Sequence, residues 1–142
     1  MSRHLILPAL LLSLFTPSIG AAQSYVTTTA HRVPFERLDT LRKLLRETRP
    51  VLTEAKRLGG ILDDMWLVHA WGGEHSVVQV TTWKSWAAIT DTSVGFDAAT
   101  RKAYPDSTAR KKINDRFTWV FQGVTHVDNI YQKVDLGDKR VR

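Results

Sequence analysis

The spacing of apolar residues along the chain predicts strands that alternate with amphipathic helices. Residues 25–33 are rich in Val and Thr, whose β-branched side chains suit a pleated surface, and they predict a first strand. Residues 34–58 place apolar side chains at helical spacing opposite charged ones, and a glycine pair at 59–60 ends this helix. Pro50 removes a backbone donor inside it, so a kink or short break is expected near Arg49.

Three further segments have the composition of strands. Residues 61–71 and 76–83 flank the turn-forming sequence at 72–75, which predicts a hairpin. Residues 126–134 form the last predicted strand. The sheet is therefore expected to have four strands.

The remaining helices are marked by their end signals. Ser85 is a suitable N-cap for a short helical stretch, and Gly95 breaks or bends it before residues 96–104. The Pro-Asp-Ser sequence at 105–107 starts another helix, and Gly123 closes it.

The resulting order is strand, helix, strand, strand, helix, strand. This is the α+β, ferredoxin-like βαββαβ arrangement, in which an antiparallel sheet carries its helices on one face. One domain over residues 23–134 is expected, followed by a polar tail at 135–142. Because the other face of the sheet has no helices of its own, a second copy of the chain is expected to shield it.

The N-terminal residues have the pattern of a secretory signal peptide. Arg3 precedes an apolar run at residues 5–15, and small residues at Gly20 and Ala22 fit a peptidase site, so residues 1–22 are expected to be removed. The run is well short of the roughly 20 residues needed to cross a bilayer. The domain is therefore expected to be exported to the periplasm or the extracellular medium, without stable membrane insertion after cleavage.

Charge and cysteine content narrow the classes of partner. Lys and Arg number 20 against 14 Asp and Glu, and removing the first 22 residues, which hold only Arg3, leaves 19 against 14. This positive balance is diluted by acidic residues along the first helix, which is typical of a solvated face, and export argues against a nucleic-acid partner. The chain has no Cys, so burial must stabilise the domain without disulfides.

Three segments carry a resemblance to a known group of proteins. They are the proline-containing helix segment at 46–50, the glycine link to a strand bearing Trp66, and the closing sequence at 126–131. Together they resemble uncharacterised exported bacterial proteins of the dimeric α/β-barrel superfamily. The resemblance implies a homodimer in which the uncovered sheet faces of two subunits build one barrel. Some members are cofactor-independent monooxygenases, some bind or degrade haem, and many have no known activity. No cofactor is predicted here, and haem enters only through this resemblance.

The topology brings distant residues to one edge of the sheet. Right-handed crossovers place the ends of the first two strands beside the starts of the last two. That edge collects four histidines, a tryptophan and two carboxylates: His31, His69, His75, His126, Trp71, Glu74 and Asp128. Histidine changes charge near neutral pH and can accept a proton, so His31, His126 and Asp128 are the candidate catalytic set. The candidate ligand-binding residues are Trp66, His69, Trp71, Gln79 and Tyr131. No metal site is predicted, because no paired ligand spacing occurs.

The face of the first strand that lines the barrel is assigned from polarity. His31 shares one face with Tyr25, Thr27 and Thr29, and this more polar side is expected to face the lumen. The opposite side, with residues 26, 28 and 30, is expected to pack under the helices. Ordinary roles stay open beside these interpretations, since His75 in a turn is typically solvated and tryptophans commonly fill cores.

Three functions are compatible with these patterns, and whether the chain is an enzyme stays open. The first is an exported dimeric α/β-barrel protein that binds a small, partly apolar molecule. The second is an enzyme of the same shape, a cofactor-independent monooxygenase in which His31, His126 and Asp128 position and deprotonate the substrate. The third is a partner-binding module of the cell envelope.

Overall fold

The computed structural model describes residues 23–69 and 74–134. The strands are β1 (Tyr25–His31), β2 (Ile61–Val68), β3 (Val77–Trp83) and β4 (His126–Gln132). The helices are α1 (Phe35–Glu47), α2 (Arg49–Leu58), α3 (Trp86–Thr90), α4 (Phe96–Ala103) and α5 (Ser107–Phe121). The predicted signal peptide at 1–22, the tail at 135–142, and Trp71 with the glycines of the predicted turn lie outside the described residues.

The four strands form one sheet in the order β2-β3-β1-β4, and each neighbouring pair is antiparallel. This is the ferredoxin-like α+β topology that the element order predicts. His31 lies opposite Val77 on one side and His126 on the other, and Val68 lies opposite Val77 in turn. The strand ends that were expected to share an edge therefore do so.

The break expected at Pro50 separates α1 from α2. Thr48 is the junction residue, and its carbonyl accepts the Val51 N–H at 2.9 Å. The Glu47 carbonyl, which Val51 would bond in an uninterrupted helix, instead accepts the Tyr104 hydroxyl at 2.7 Å. The side chain that follows α4 thus satisfies a backbone group released by the break.

Local capping signals specify the helix ends as the sequence predicts. The Ser85 hydroxyl accepts the Ala88 N–H at the start of α3, and the Asp106 carboxylate accepts the Ala109 N–H at the start of α5. Gly59 ends α2 with a φ of 82°, a left-handed conformation that glycine adopts without steric cost.

The helices cover one face of the sheet through two apolar clusters. The first consists of Val33, Leu38, Leu41, Leu44, Val77 and Val120. The second consists of Val51, Ala55, Ile61, Trp83, Ala88 and Ala99. Within the sheet, the strand residues of both clusters, Ile61, Val77 and Trp83, come from β2 and β3 and point to the same face.

The face assigned to β1 from polarity is wrong. Tyr25 packs edge-on against Trp86 of α3, and His31 contacts Phe121 of α5, so the face with Tyr25, Thr27, Thr29 and His31 lies under the helices. The opposite face of the sheet, called here the uncovered face, comprises Val26, Thr28, Ala30, Asp63, Met65, Leu67, Val78, Val80, Thr82, Val127, Asn129 and Tyr131. Polarity along β1 misleads because its buried side is decided by its neighbours: the face of His31, Thr27 and Tyr25 lies opposite the buried β3 residues Val77, Thr81 and Trp83.

Candidate functional site

A cavity of about 390 Å³ lies between the helix-covered face of the sheet and the helices. Its lining residues come from β2, β3, α1, α2, α4, α5 and the junction between α1 and α2: Leu45, Thr48, Arg49, Val51, Leu52, Asp64, Trp66, Gln79, Phe96, Thr100, Ile113, Asn114 and Phe117. The volume is within the range of small-molecule sites. The break at Pro50 borders this cavity, because the residues on both sides of it contribute to the lining.

Asp64 is the one carboxylate in this lining, and three side chains donate to it. Its Oδ1 atom accepts the Thr81 hydroxyl at 2.6 Å and the Gln79 amide at 2.9 Å. Its Oδ2 atom accepts the Trp66 indole N–H at 3.1 Å. Burial raises the pKa of Asp64 above its usual value, and the hydrogen bonds from Thr81, Gln79 and Trp66 oppose that rise.

A bulge in β2 places Asp64 in the cavity. Ile61 lies opposite Trp83 and Asp63 lies opposite Thr82, so Leu62 is an additional residue in β2. Strict alternation from the buried Ile61 would direct Asp63 under the helices, whereas the bulge directs Asp64 there.

Asp63 lies outside the cavity as a consequence. Its Oδ1 atom accepts the Lys56 ammonium at 2.7 Å, and this hydrogen bond lowers the pKa of Asp63. Two adjacent aspartates therefore occupy opposite environments. Asp64 was not predicted as a site residue, because nothing in the local sequence pattern indicates the bulge.

The rest of the cavity is largely apolar. Its aromatic and aliphatic walls are Leu45, Val51, Leu52, Trp66, Phe96, Ile113 and Phe117. The hydroxyls of Thr48 and Thr100 donate to carbonyls of their own helices, at 2.9 and 2.8 Å. Arg49 and Asn114 are exposed residues of the lining, so the polar groups not used by the fold lie toward solvent.

The structure brings the three predicted catalytic residues together. The rings of His31 and His126 are 5.7 Å apart between centroids, and His126 Nε2 lies 3.3 Å from Asp128 Oδ2. Burial lowers the pKa of His31, and the neighbouring imidazoles of His126 and His75 lower it further, whereas Asp128 raises it. His31 is half-buried, whereas His126 and Asp128 are exposed on the edge strand. These residues are called here the histidine cluster.

Trp66 separates the histidine cluster from the cavity. Its ring lies parallel to that of His31 at a centroid distance of 6.3 Å, and its indole N–H donates to Asp64. None of the three predicted catalytic residues is in the cavity lining. The histidine cluster and the cavity are therefore adjacent, and Trp66 interacts with residues of both.

The predicted ligand-binding residues divide between different places. Trp66 and Gln79 line the cavity, as expected of a ligand site. Tyr131 lies opposite Val26 on the uncovered face, so the sheet separates it from the cavity. The His69 backbone N–H donates to the Ser76 carbonyl at 2.8 Å, and His69 is not in the cavity lining. Trp71 is outside the described residues.

The described part of the chain has neither a cluster of metal ligands nor a membrane-spanning helix. Within residues 23–69 and 74–134, no group of three or more His, Asp or Glu side chains is arranged to hold a metal ion. No helix within these ranges combines the length and the apolar character that a membrane crossing needs.

The opposite pKa directions of Asp63 and Asp64 predict opposite pH effects on stability. The raised pKa of folded Asp64 means that its stabilising contribution is present below the ordinary value of 3.8 and is lost as pH rises through the folded pKa. The lowered pKa of Asp63 means that its contribution is present above 3.8 and is lost as pH falls. Urea unfolding should therefore show Asp64→Asn gaining stability relative to the wild type as pH rises from about 4 towards 7, and Asp63→Asn losing stability relative to the wild type as pH rises from about 2.5 to 4.5. The same direction for both variants would contradict the assignment of the two environments.

Comparison with known proteins identifies the fold. No protein-family model matches the chain, and no curated protein does. A NIPSNAP family protein from Agrobacterium tumefaciens is similar in structure, with a TM-score of 0.55 and 15% identity over 80% of this chain and 89% of that one.

Two further solved structures are similar. A dimeric ferredoxin-like protein from an uncultured marine organism has a TM-score of 0.54, and a conserved protein from Methanosarcina mazei has one of 0.51. Each is 16% identical over 80% of this chain and 96% of its own. At such identities the likeness establishes the fold alone, and this chain has the ferredoxin-like α+β fold of these proteins.

Proposed function

We propose that this protein binds a small, partly apolar organic molecule in the cavity between its sheet and its helices. The observation that carries the proposal is the Asp64 carboxylate, held by three side-chain donors inside a largely aromatic and aliphatic cavity. Removing a carboxylate from water lowers the stability of the fold even when the group is hydrogen-bonded. An apolar residue at this position would fill the core without that loss of stability. A few fixed polar groups in an apolar cavity are typical of a site that orients a ligand.

We also propose that this binding takes place outside the cytoplasm. The signal-peptide pattern of residues 1–22 supports this location, because it combines one early positive charge, a short apolar run and small residues at the expected cleavage site. Periplasm and extracellular medium are both compatible with that pattern.

Blocking the cavity should weaken binding of an apolar probe. N-phenyl-1-naphthylamine, whose fluorescence rises in apolar surroundings, is titrated into wild-type protein and into Leu52→Trp, which adds bulk to the cavity wall. We expect the variant to bind at least about tenfold more weakly, because the indole occupies space that the probe needs.

Thr53→Trp is the matched control, because Thr53 is the next residue of α2 and is exposed. Native mass spectrometry of the wild type tests in parallel for a co-purified molecule. If the wild type binds no probe, or if both tryptophan variants bind it like the wild type, the cavity is not the binding site.

We also propose that a second copy of the chain covers the uncovered face. Four large apolar side chains of this face, Met65, Leu67, Val127 and Tyr131, are between 46% and 53% exposed. An apolar sheet face of this kind marks an interaction surface. A structurally similar protein is described as dimeric, which favours a second copy as the occupant.

A charge on the uncovered face should disrupt this dimer. Leu67→Glu places a carboxylate among apolar side chains, and we expect light scattering with size exclusion to report a dimer for the wild type and a monomer for the variant. Phe35→Glu is the control, since Phe35 is 77% exposed at the start of α1, away from the sheet. A wild-type monomer would refute the homodimer and would favour a different partner chain for this face, as in an envelope module.

The histidine cluster supports a second candidate function, acid–base chemistry at the sheet edge. Because the pKa of His31 is lowered, its imidazole is neutral near neutral pH, and the neutral imidazole is the form that accepts a proton. Asp128 lies beside His126, where a carboxylate fixes the orientation of an imidazole. In a cofactor-independent oxygenase such a cluster would deprotonate the substrate. Because Trp66 lies between this cluster and the cavity, such a substrate would bind at the edge of the sheet, beside the cavity.

Histidine titration by NMR tests the electrostatic basis of this candidate. We expect the pKa of His31 to lie below 6.5, to rise in His126→Gln, and to fall in Asp128→Asn, because the first removes a neighbouring imidazole that lowers it and the second a carboxyl group that raises it. His75→Gln should raise it less than His126→Gln does. His69→Gln is the control that should leave it unchanged. A His31 pKa that responds to neither His126→Gln nor Asp128→Asn would show that the three residues do not act as one group.

A further inference from the structure

The cavity lining contains one acidic and one basic residue. Asp64 lies on the sheet, and Arg49 lies at the first position of α2, where it is exposed. Both residues belong to the lining of one cavity, whose other lining residues are mostly apolar. A molecule that fills this cavity therefore meets one acidic and one basic residue.

The Asp64 carboxylate has capacity for one more donor. A carboxylate offers about four acceptor sites, and Thr81, Gln79 and Trp66 use three of them. Two of these bonds are to Oδ1, so the remaining site is on Oδ2, which takes only the Trp66 bond. The Gln79 amide already donates to Asp64 Oδ1. The carboxylate can therefore accept one further hydrogen bond, from an O–H or N–H group of a ligand.

Arg49 differs in its contacts from Arg57 and Arg116. Arg57 pairs with Glu54, and Arg116 pairs with Glu47, the acidic residue nearest to Arg49 in the sequence. Within the described residues, the Arg49 guanidinium forms no hydrogen bond and no ion pair. Its charge is therefore available to a ligand, and a guanidinium binds carboxylates and similar anions by paired hydrogen bonds.

The two opposite charges also favour one orientation of the ligand. An anionic group beside Asp64 would meet a like charge in a poorly solvated place, which is strongly unfavourable. The same group beside Arg49 meets an opposite charge near solvent. Thr48 and Thr100 donate their hydroxyl protons to helix carbonyls, so they do not compete as donors.

We infer that the ligand is a small, partly apolar organic anion with one O–H or N–H donor. The donor binds Asp64 Oδ2, the anionic group binds Arg49, and the apolar middle packs against Trp66, Phe96 and Phe117. This inference rests on the proposed function, because it assumes that the cavity is the binding site. It adds the chemical class of the ligand and the direction in which it enters.

Three related compounds test the contributions of Asp64 and Arg49 separately. The compound 3-(4-hydroxyphenyl)propanoate carries both groups, 3-phenylpropanoate lacks the donor, and 4-propylphenol lacks the anion. Each displaces N-phenyl-1-naphthylamine from the wild-type protein in a competition titration near neutral pH. We expect the compound with both groups to bind at least about tenfold more tightly than either of the others, as charge-assisted hydrogen bonds allow.

Matched variants assign each advantage to its residue. Asp64→Asn should erase the advantage of the hydroxyl, and Arg49→Gln should erase that of the carboxylate. Asp63→Asn and Arg46→Gln are the controls, because both residues are exposed neighbours outside the cavity lining. Since Asp64→Asn could disturb folding, the wild-type comparison and the exposed Arg49 variant test the inference independently of it.

The outcomes separate the inference from the proposed function. If the fluorophore binds in the Leu52-dependent cavity but the three compounds compete equally, the ligand class is wrong and the cavity site stands. If Arg46→Gln weakens the carboxylates as much as Arg49→Gln does, the effect is general charge and the assignment to Arg49 is wrong. If the fluorophore does not bind in the cavity at all, the proposed function itself fails.

Discussion

One additional residue in β2 decides how the sheet divides its side chains between two surfaces. Because successive side chains of a strand alternate, the bulge at Leu62 reverses the direction of those that follow it. Asp64, Trp66 and Val68 consequently face the helices, whereas Met65 and Leu67 face the other way. The carboxylate of the cavity and the contribution of Met65 and Leu67 to the uncovered face therefore result from the same irregularity.

The break between α1 and α2 gives that carboxylate a cavity to face. Thr48 and Arg49 are at this break and form part of the cavity wall. In an uninterrupted helix these two residues would have a different position relative to the sheet. The bond from Tyr104 to the Glu47 carbonyl, and the ion pair of Arg116 with Glu47, tie α5 and the end of α4 to this junction. The cavity is thus bordered by a fixed bend whose backbone groups are satisfied.

Binding and proton transfer would use different parts of this molecule. The cavity contains Asp64, held in a single orientation by three donors, whereas the histidine cluster opens to solvent beside the edge strand β4. Trp66 contacts both, so a ligand that moves this ring would change the surroundings of His31. A shared aromatic residue is the physical route by which occupancy of the cavity could alter the histidines.

The sequence by itself determined the features that depend on neighbours along the chain. The strand order, the caps at Ser85 and Asp106, the break at Pro50 and the meeting of His31 with His126 follow from local signals and from the handedness of the connections. Only the tertiary structure decided which face each strand buries. The bulge is visible only in the pairing of β2 with β3, so Asp64 was missed. The buried face of β1 follows from its pairing with β3 and its packing against the helices, so the β1 faces were exchanged and Tyr131, opposite Val26, lies across the sheet from the cavity.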